Sequence, residues 1–135
     1  MKNVLMIGIL VIGFITLAFQ DKPKFDLKVS IAKGKDIYTT YCMSCHMENG
    51  EGIEDVYPPL TKSDYLMADK VRMNKQILNG ATGPMKVNGK TYNAEMTGFS
   101  LSDQEISDLA NYIRNSFGNK GPVVMPDEVK AARNK

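Results

Sequence analysis

The sequence has very little of two residue types that commonly bind transition metals, cysteine and histidine. Its 135 residues include two cysteines and one histidine. A single histidine excludes two imidazole ligands on one metal within the chain, and three soft ligands are too few for a closed zinc site. The formal net charge is only +2 and there is no run of lysine and arginine, which argues against a nucleic-acid partner.

The two cysteines and the histidine all lie in one five-residue motif, Cys42-Met43-Ser44-Cys45-His46. Two cysteines three positions apart at the end of a helix project to one side, about one turn apart. A thioredoxin-type redox pair is expected after a strand, whereas a helical segment precedes this motif, and a disulfide across two residues would stabilise little. The pattern therefore predicts one covalently attached haem c, with thioether bonds at Cys42 and Cys45 and with His46 as an iron ligand.

The ligand on the other side of the iron is not determined by this motif. Methionine, lysine, tyrosine, water and an empty position are all compatible with a single histidine. Met43 and Met47 flank His46 on its own side of the haem, and methionines near the middle helix are typical core residues. Met96 stands in a non-helical stretch before the last predicted helix and can cover the other face. We expect Met96 to be the second axial ligand, with Met85 as the alternative.

The first twenty residues differ in character from the rest of the chain. Residues 4–19 carry no charge, follow a single lysine and end before a polar segment, which is the layout of a secretory signal. The segment is shorter than the roughly 18 to 20 residues that cross a bilayer comfortably, which favours a signal peptide. Its cleavage signal is weak, which favours a retained anchor. We expect export to the periplasm with residues 1–20 removed as a signal peptide. The alternative is an N-terminal membrane anchor, residues 4–19, at the periplasmic face of the inner membrane.

The remaining sequence predicts a single, mostly α-helical domain with one small β-hairpin. Its expected boundaries are a linker at 21–29, the domain at 30–120 and a C-terminal tail at 121–135. Ser30 is expected to cap the first helix, which extends to about Cys45. A second helix is expected over about 69–79, where Gly80 ends it.

Two local signals are strong in the second half of the chain. Asn88-Gly89 lies between short runs that contain Val87 and Tyr92 and predicts a two-residue hairpin turn. Ser102 and Glu105 predict a capping box at the start of the last main helix. That helix is expected to end at Gly118 and to carry an apolar stripe formed by Ile106, Leu109, Ala110, Ile113 and Phe117.

Over about residues 30–120 the sequence resembles the class I c-type cytochromes. The resemblance rests on Gly34-Lys-Asp-Ile-Tyr38, Tyr41-Cys42-Met-Ser-Cys45-His46, Gly50-x-Gly52, Tyr57-Pro-Pro-Leu60, Ile77-Leu-Asn-Gly80, Val87-Asn-Gly-Lys-Thr-Tyr92, Met96 and Leu101-Ser-Asp-Gln-Glu-Ile. Within this family, the sequence is similar to the single-haem domains that accompany bacterial oxidases, copper nitrite reductases and periplasmic dehydrogenases. Many relatives have proline after the axial methionine, where this chain has Thr97.

The resemblance implies a cytochrome c-type helical fold around one covalently bound haem. The first and last main helices are expected to cross near Gly34, where the missing side chain lets two backbones approach. The carbonyl of Pro58 or Pro59 is expected to accept a hydrogen bond from the second ring nitrogen of His46. The expected haem-pocket residues are Tyr41, Pro59, Leu60, Ile77, Tyr92 and Phe99.

The expected function is electron transfer, because a six-coordinate haem leaves no position for a substrate. We expect an exported carrier in a respiratory chain that meets its redox partner proteins transiently and is not an enzyme. The alternative is a subunit anchored in an oxidase or dehydrogenase complex. A haem enzyme or gas sensor with an open sixth position is a third interpretation, disfavoured because the chain lacks a second histidine for distal acid–base chemistry.

Overall fold

A computed structural model describes residues 24–134 of the chain. The predicted signal peptide or anchor and the first residues of the predicted linker therefore lie outside the described residues. Within 24–134, no helix combines the length and the apolar character needed to cross a membrane.

The described chain is mostly helical, and its strands are short. The helices are α1 (Leu27–Tyr41), α2 (Met43–His46), α3 (Asp64–Ala68), α4 (Lys70–Asn79), α5 (Asp103–Arg114) and α6 (Pro126–Arg133). The strands are β1 (Gly80–Ala81), β2 (Met85–Val87), β3 (Lys90–Tyr92) and β4 (Met96–Thr97). They form two antiparallel pairs, β2 with β3 and β1 with β4. The predicted mostly α fold with a small hairpin is confirmed.

Helix α1 begins earlier than predicted. The carboxylate of Asp26 caps it by accepting hydrogen bonds from two main-chain N–H groups of the first turn, at 2.8 and 3.2 Å. Ser30 lies inside the helix, where its hydroxyl donates to Asp108 of α5 at 2.5 Å. The prediction that Ser30 caps the helix is wrong, because Asp26 is an equally good cap and the serine hydroxyl is used between helices. The helix ends at Tyr41, so Cys45 belongs to the separate turn α2.

Helices α1 and α5 cross at Gly34. A Cβ at this position would lie 2.0 Å from the carbonyl oxygen of Asp108 and 2.7 Å from the Cβ of Tyr112, so only glycine fits. The rings of Tyr38, Tyr112 and Phe117 pack together beside the crossing, with centroids 5.2 to 5.4 Å apart. The predicted crossing is therefore confirmed.

The local signals around the hairpin also fold as predicted. Helix α4 begins after its cap Asp69 and ends at Asn79, where Gly80 follows with a φ of 82°. Asn88 and Gly89 have φ values of 49° and 84°, as the type I′ turn between β2 and β3 requires.

Helix α5 has the predicted capping box but is shorter than predicted. The Ser102 N–H donates to the Glu105 carboxylate at 2.8 Å, and the Glu105 N–H donates to the Ser102 hydroxyl at 3.3 Å. The helix ends at Arg114, so the prediction that it carries Phe117 and ends at Gly118 is wrong. Both residues have a left-handed backbone, with φ values of 58° and 76°, which turns the chain while the Phe117 ring still packs against the core.

The segment predicted to be a C-terminal tail contains helix α6. This helix packs against α4 and α5, and Val124 and Val129 have no exposed surface. Arg133 forms an ion pair with Asp103 at the start of α5, at 3.0 Å. Packed structure therefore continues well beyond residue 120.

Candidate haem-binding site

A cavity of about 400 Å³ lies between α1–α5 and the strands β1, β2 and β4. Its size falls within the roughly 300 to 1,000 Å³ typical of small-molecule sites. Its wall is largely apolar, with contributions from Leu60, Leu66, Met73, Ile77, Val87, Phe99, Leu109 and Ile113. The elements before and after the hairpin therefore enclose a single apolar space that the Cys42–His46 motif borders.

Cys42 and Cys45 both line this cavity as free thiols. Cys42 is buried where α1 ends, and Cys45 is partly buried on α2. Burial, and then repulsion from Cys45, raises the pKa of the Cys42 thiol to about 12. Thiol–disulfide oxidoreductases instead depend on a depressed cysteine pKa, so the site lacks the electrostatics of a thioredoxin-type pair.

His46 lines the same cavity, and a hydrogen bond to the main chain fixes the orientation of its ring. Its Nδ1 lies 3.0 Å from the carbonyl oxygen of Pro58, which can only accept, so Nδ1 carries the proton and Nε2 keeps its lone pair. Burial lowers the pKa of His46, and the bond to Pro58 opposes that effect. The geometry gives a neutral, oriented imidazole, as metal ligation requires. Of the two prolines considered, the structure has Pro58 as the hydrogen-bond acceptor.

Two methionines from the strands reach the cavity as well. Met96 belongs to β4, paired with Ala81 of β1, so it lies in a short strand and not in the loop that the sequence suggested. Met85 begins β2, and both methionines line the cavity with His46. The structure thus brings together the expected ligand Met96 and its alternative Met85.

Five of the six expected pocket residues line the cavity. They are Tyr41, Pro59, Leu60, Ile77 and Phe99. Tyr92 is buried but does not line the cavity, so its place in the haem pocket stays a prediction. Tyr92 pairs with Met85 across the hairpin, and the cavity wall at this place is formed by Met85 and Val87 of the opposite strand.

The polar residues of the wall that were not found from the sequence include Tyr65, Arg72 and Gln76. Tyr65 comes from α3, and Arg72 and Gln76 come from α4. Helix α3 has only five residues, too few for a periodic pattern, so Tyr65 gave no signal. The spacing of Arg72 and Gln76, four residues apart on one helix face, was the signal available for those two.

The donor set fits a covalently attached haem. Two thiols lie at one edge of an apolar cavity, a neutral imidazole presents an available nitrogen, and a thioether is present in the same space. Imidazole and thioether are a recognised pair of ligands for haem iron. The fold and the site thus define a small helical domain built around a haem.

The family model for Cytochrome c matches residues 31–117, and the chain belongs to this family. Cytochrome c-552 of Thermus thermophilus is 33% identical over 119 residues, covering 81% of this chain and 80% of that protein. The cytochrome c subunit of the alcohol dehydrogenase (quinone) of Gluconobacter oxydans is 32% identical over 93 residues, covering 66% of this chain and 19% of that subunit.

A third relative belongs to an oxidase. The Cbb3-type cytochrome c oxidase subunit CcoP of Azospirillum brasilense is 34% identical over 94 residues, covering 65% of this chain and 29% of that subunit. The chain spans less than a third of either complex subunit. As a member of the cytochrome c family, the chain is a haem c protein that functions in electron transfer.

Proposed function

We propose that this chain is an exported one-electron carrier in which Cys42 and Cys45 attach the haem and His46 and Met96 ligate its iron. When bound, haem c supplies a one-electron couple between ferric and ferrous iron. The observation that carries the proposal is the oriented imidazole: Pro58 holds Nδ1 of His46, and Nε2 remains available in a cavity that Met96 also lines.

The other residues of the site suit a carrier. The apolar wall excludes water from the haem, which favours the less charged ferrous state and limits solvent reorganisation. Close to Cys42, the residues Tyr41 and Met43 are 45% and 36% exposed. An exposed apolar surface beside the attachment site suits brief docking of a redox partner, with a small interface of below about 1,200 Å².

A thioether from Met96 also argues against a catalytic haem. Bound to the iron, it would fill the position at which a peroxide or gas binds, and the chain has no second histidine to serve as a distal acid–base group. Glu95 does line the cavity, but its side chain is exposed. A thioether-ligated, low-spin iron is therefore the state that we expect.

Absorption spectra of the holoprotein test the ligand assignment. The wild type is expected to show the weak far-red band of sulfur-to-iron charge transfer in the ferric state, and Met96→Ala to lose it. Met85→Ala is the matched control, because Met85 lines the same cavity, and it is expected to keep the band. A band that survives in Met96→Ala would overturn the assignment of Met96 as the ligand. Rapid carbon monoxide binding by the ferrous wild type would overturn the proposal that the protein is an electron carrier.

A subunit of a larger complex is the second candidate, favoured by the relatives that are named as subunits of a dehydrogenase and an oxidase. The two candidates differ in the fate of residues 1–20. Mass spectrometry of the protein purified from its own cells decides between them. A mature chain without these residues in the soluble periplasmic fraction supports the free carrier, and a full-length chain in the membrane fraction supports the anchored subunit.

A further inference from the structure

The main chain bends sharply directly after His46. Met47, the next residue, has a φ of 63° and a ψ of 167°, a combination that is found almost only at glycine, because a Cβ crowds the neighbouring main chain. A methionine keeps such a conformation only where its surroundings impose it. The contacts that impose this bend therefore also determine where the main chain of His46 lies.

The bend is held at the carbonyl of Met47. This carbonyl accepts a hydrogen bond from the hydroxyl of Tyr38 at 2.6 Å and another from the main-chain N–H of Gly50 at 3.2 Å. A carbonyl oxygen can only accept, so the tyrosine hydroxyl is the donor. The shorter bond comes from a side chain of α1, and it fastens the strained residue to the helix that precedes the Cys42–His46 motif.

Tyr38 is itself firmly placed. Only 1% of this residue is exposed, and its ring packs against those of Tyr112 and Phe117. Its main-chain carbonyl accepts a hydrogen bond from the N–H of Cys42 at 2.8 Å. Tyr38 thus contacts the motif at both ends, at Cys42 through its carbonyl and directly after His46 through its hydroxyl.

The turn between these two contacts carries the histidine. The His46 N–H donates to the Cys42 carbonyl at 2.9 Å, and the His46 carbonyl accepts from the N–H of Gly52 at 3.0 Å. Neither Tyr38 nor Met47 lines the cavity. An effect of the tyrosine hydroxyl on the iron therefore has to pass through the main chain of His46.

We propose that Tyr38 is a positioning residue of the haem site, whose hydroxyl holds the bend at Met47 and so fixes the plane of the His46 imidazole at the iron. The inference rests on the proposed function, since it requires His46 to ligate a haem in this cavity. Pro58 restrains the ring through Nδ1, whereas Tyr38 restrains the main chain that carries the ring. A phenylalanine in place of Tyr38 would keep the aromatic packing and lose this restraint.

Three substitutions separate the hydroxyl from the ring and from the strain. Tyr38→Phe removes the hydroxyl and keeps the aromatic ring, so this variant is expected to fold. Tyr112→Phe is the matched control, because it removes a hydroxyl from the same group of packed rings, on the opposite helix. Met47→Gly removes the Cβ and with it the strain, because glycine adopts a positive φ at little cost.

The experiment is electron paramagnetic resonance of the ferric holoproteins, supported by NMR of the haem methyl groups. Both spectra depend on the orientation of the imidazole plane at a low-spin ferric haem, and a change in stability alone does not shift them. We expect Tyr38→Phe to shift the largest g value and to broaden its line, because the imidazole then samples more than one orientation. Tyr112→Phe is expected to keep the wild-type values, and a shift of the same size in both variants would overturn the inference.

The double variant of Tyr38→Phe and Met47→Gly tests the role of the strain. An unstrained chain has no tendency to leave the bend, so the loss of the hydroxyl should shift the g value much less in the Met47→Gly background than in the wild type. Such non-additivity is expected of two residues that act as one unit. Equal shifts in the two backgrounds would overturn the inference, since the hydroxyl would then act independently of the bend.

Failure of the inference differs from failure of the proposed function. A low-spin wild type whose spectrum is unchanged by Tyr38→Phe overturns the inference alone, since the bond from Gly50 to Met47 is then sufficient. A wild type without a low-spin ferric signal would mean that His46 and Met96 do not both ligate the iron, which overturns the proposed function and the inference together.

Discussion

The Nδ1 atom of His46 lies 3.0 Å from the carbonyl oxygen of Pro58, and Gly52 packs against that same carbonyl. Gly52 has a φ of 69°, and a Cβ on it would lie 2.8 Å from the Pro58 oxygen and 2.4 Å from the Tyr57 oxygen. The loop between the haem motif and the prolines therefore sets the orientation of the imidazole through a contact that only glycine permits.

Gly52→Ala is expected to displace the Pro58 carbonyl and weaken its bond to His46. A weaker bond makes the imidazole a poorer electron donor, which destabilises ferric iron. We expect a higher reduction potential and a lower free energy of unfolding, measured by redox titration and by urea denaturation of the holoprotein.

Gly89→Ala is the control for this prediction. Gly89 also has a positive φ, of 84°, but nothing lies within 4 Å of a Cβ there. Its substitution is expected to cost only the left-handed backbone, about 1 to 2 kcal/mol, with an unchanged potential. If both variants have the potential of the wild type, the Gly52 contact does not control the imidazole.

The parts of the site that could be predicted from the sequence are those specified by near neighbours. The Cys42–His46 motif, the Asn88-Gly89 turn and the Ser102 capping box each depend on a few adjacent residues, and the structure has the turn and the capping box where they were expected. The contact between Tyr65 and Arg72 could not be predicted, because it depends on how a five-residue helix packs on its neighbour.

Competition between equivalent local signals explains a second kind of error. Asp26 and Ser30 are both good helix caps, and nothing local decides between them. The long-range bond from Ser30 to Asp108 decides it. Similarly, α5 ends at Arg114, before it reaches Phe117, although the Phe117 ring still packs against Tyr112. Tertiary contacts thus determine the helix boundaries that the sequence pattern left open.

Gly34→Ala is expected to separate α1 from α5. The new Cβ would lie 2.0 Å from the Asp108 carbonyl oxygen, and two backbones cannot move apart without loss of the packing around Tyr38. We expect a loss of about 3 kcal/mol or more in the free energy of unfolding, at the upper end of overpacking effects. Urea denaturation measures it. Thr39→Ala, at an exposed site of the same helix, is expected to change stability by less than about 0.5 kcal/mol, and equal losses in the two variants would contradict the prediction.

The Glu105 carboxylate should make part of the stability depend on pH. The Ser102 hydroxyl and then the Ser102 main-chain N–H lower the pKa of Glu105 below its ordinary value of 4.5. A carboxylate with a depressed pKa in the folded state stabilises the protein above the unfolded pKa, and this contribution is lost as the pH falls through the folded value. Stability should therefore decrease below about pH 4.5 through this group.

Glu105→Gln tests this dependence, because glutamine keeps the capping geometry and does not titrate. We expect the melting temperatures of the variant and the wild type to differ most near neutral pH and to converge as the pH falls below the ordinary pKa of the carboxyl. A difference that is the same at every pH would show that ionisation of Glu105 does not contribute.

Helix α6 should stabilise the domain without taking part in the haem site. Val129 is fully buried between α6 and its neighbours, and no residue of α6 lines the cavity. Val129→Ala is expected to lower the free energy of unfolding by about 2 kcal/mol, through the methyl groups and the space that they leave. Lys130→Ala, at the next and exposed position, should stay within about 0.5 kcal/mol of the wild type.

Both variants should keep the wild-type absorption spectrum. Equal stability of the two would mean that α6 does not pack in solution, and an altered spectrum in Val129→Ala would mean that it supports the haem site as well.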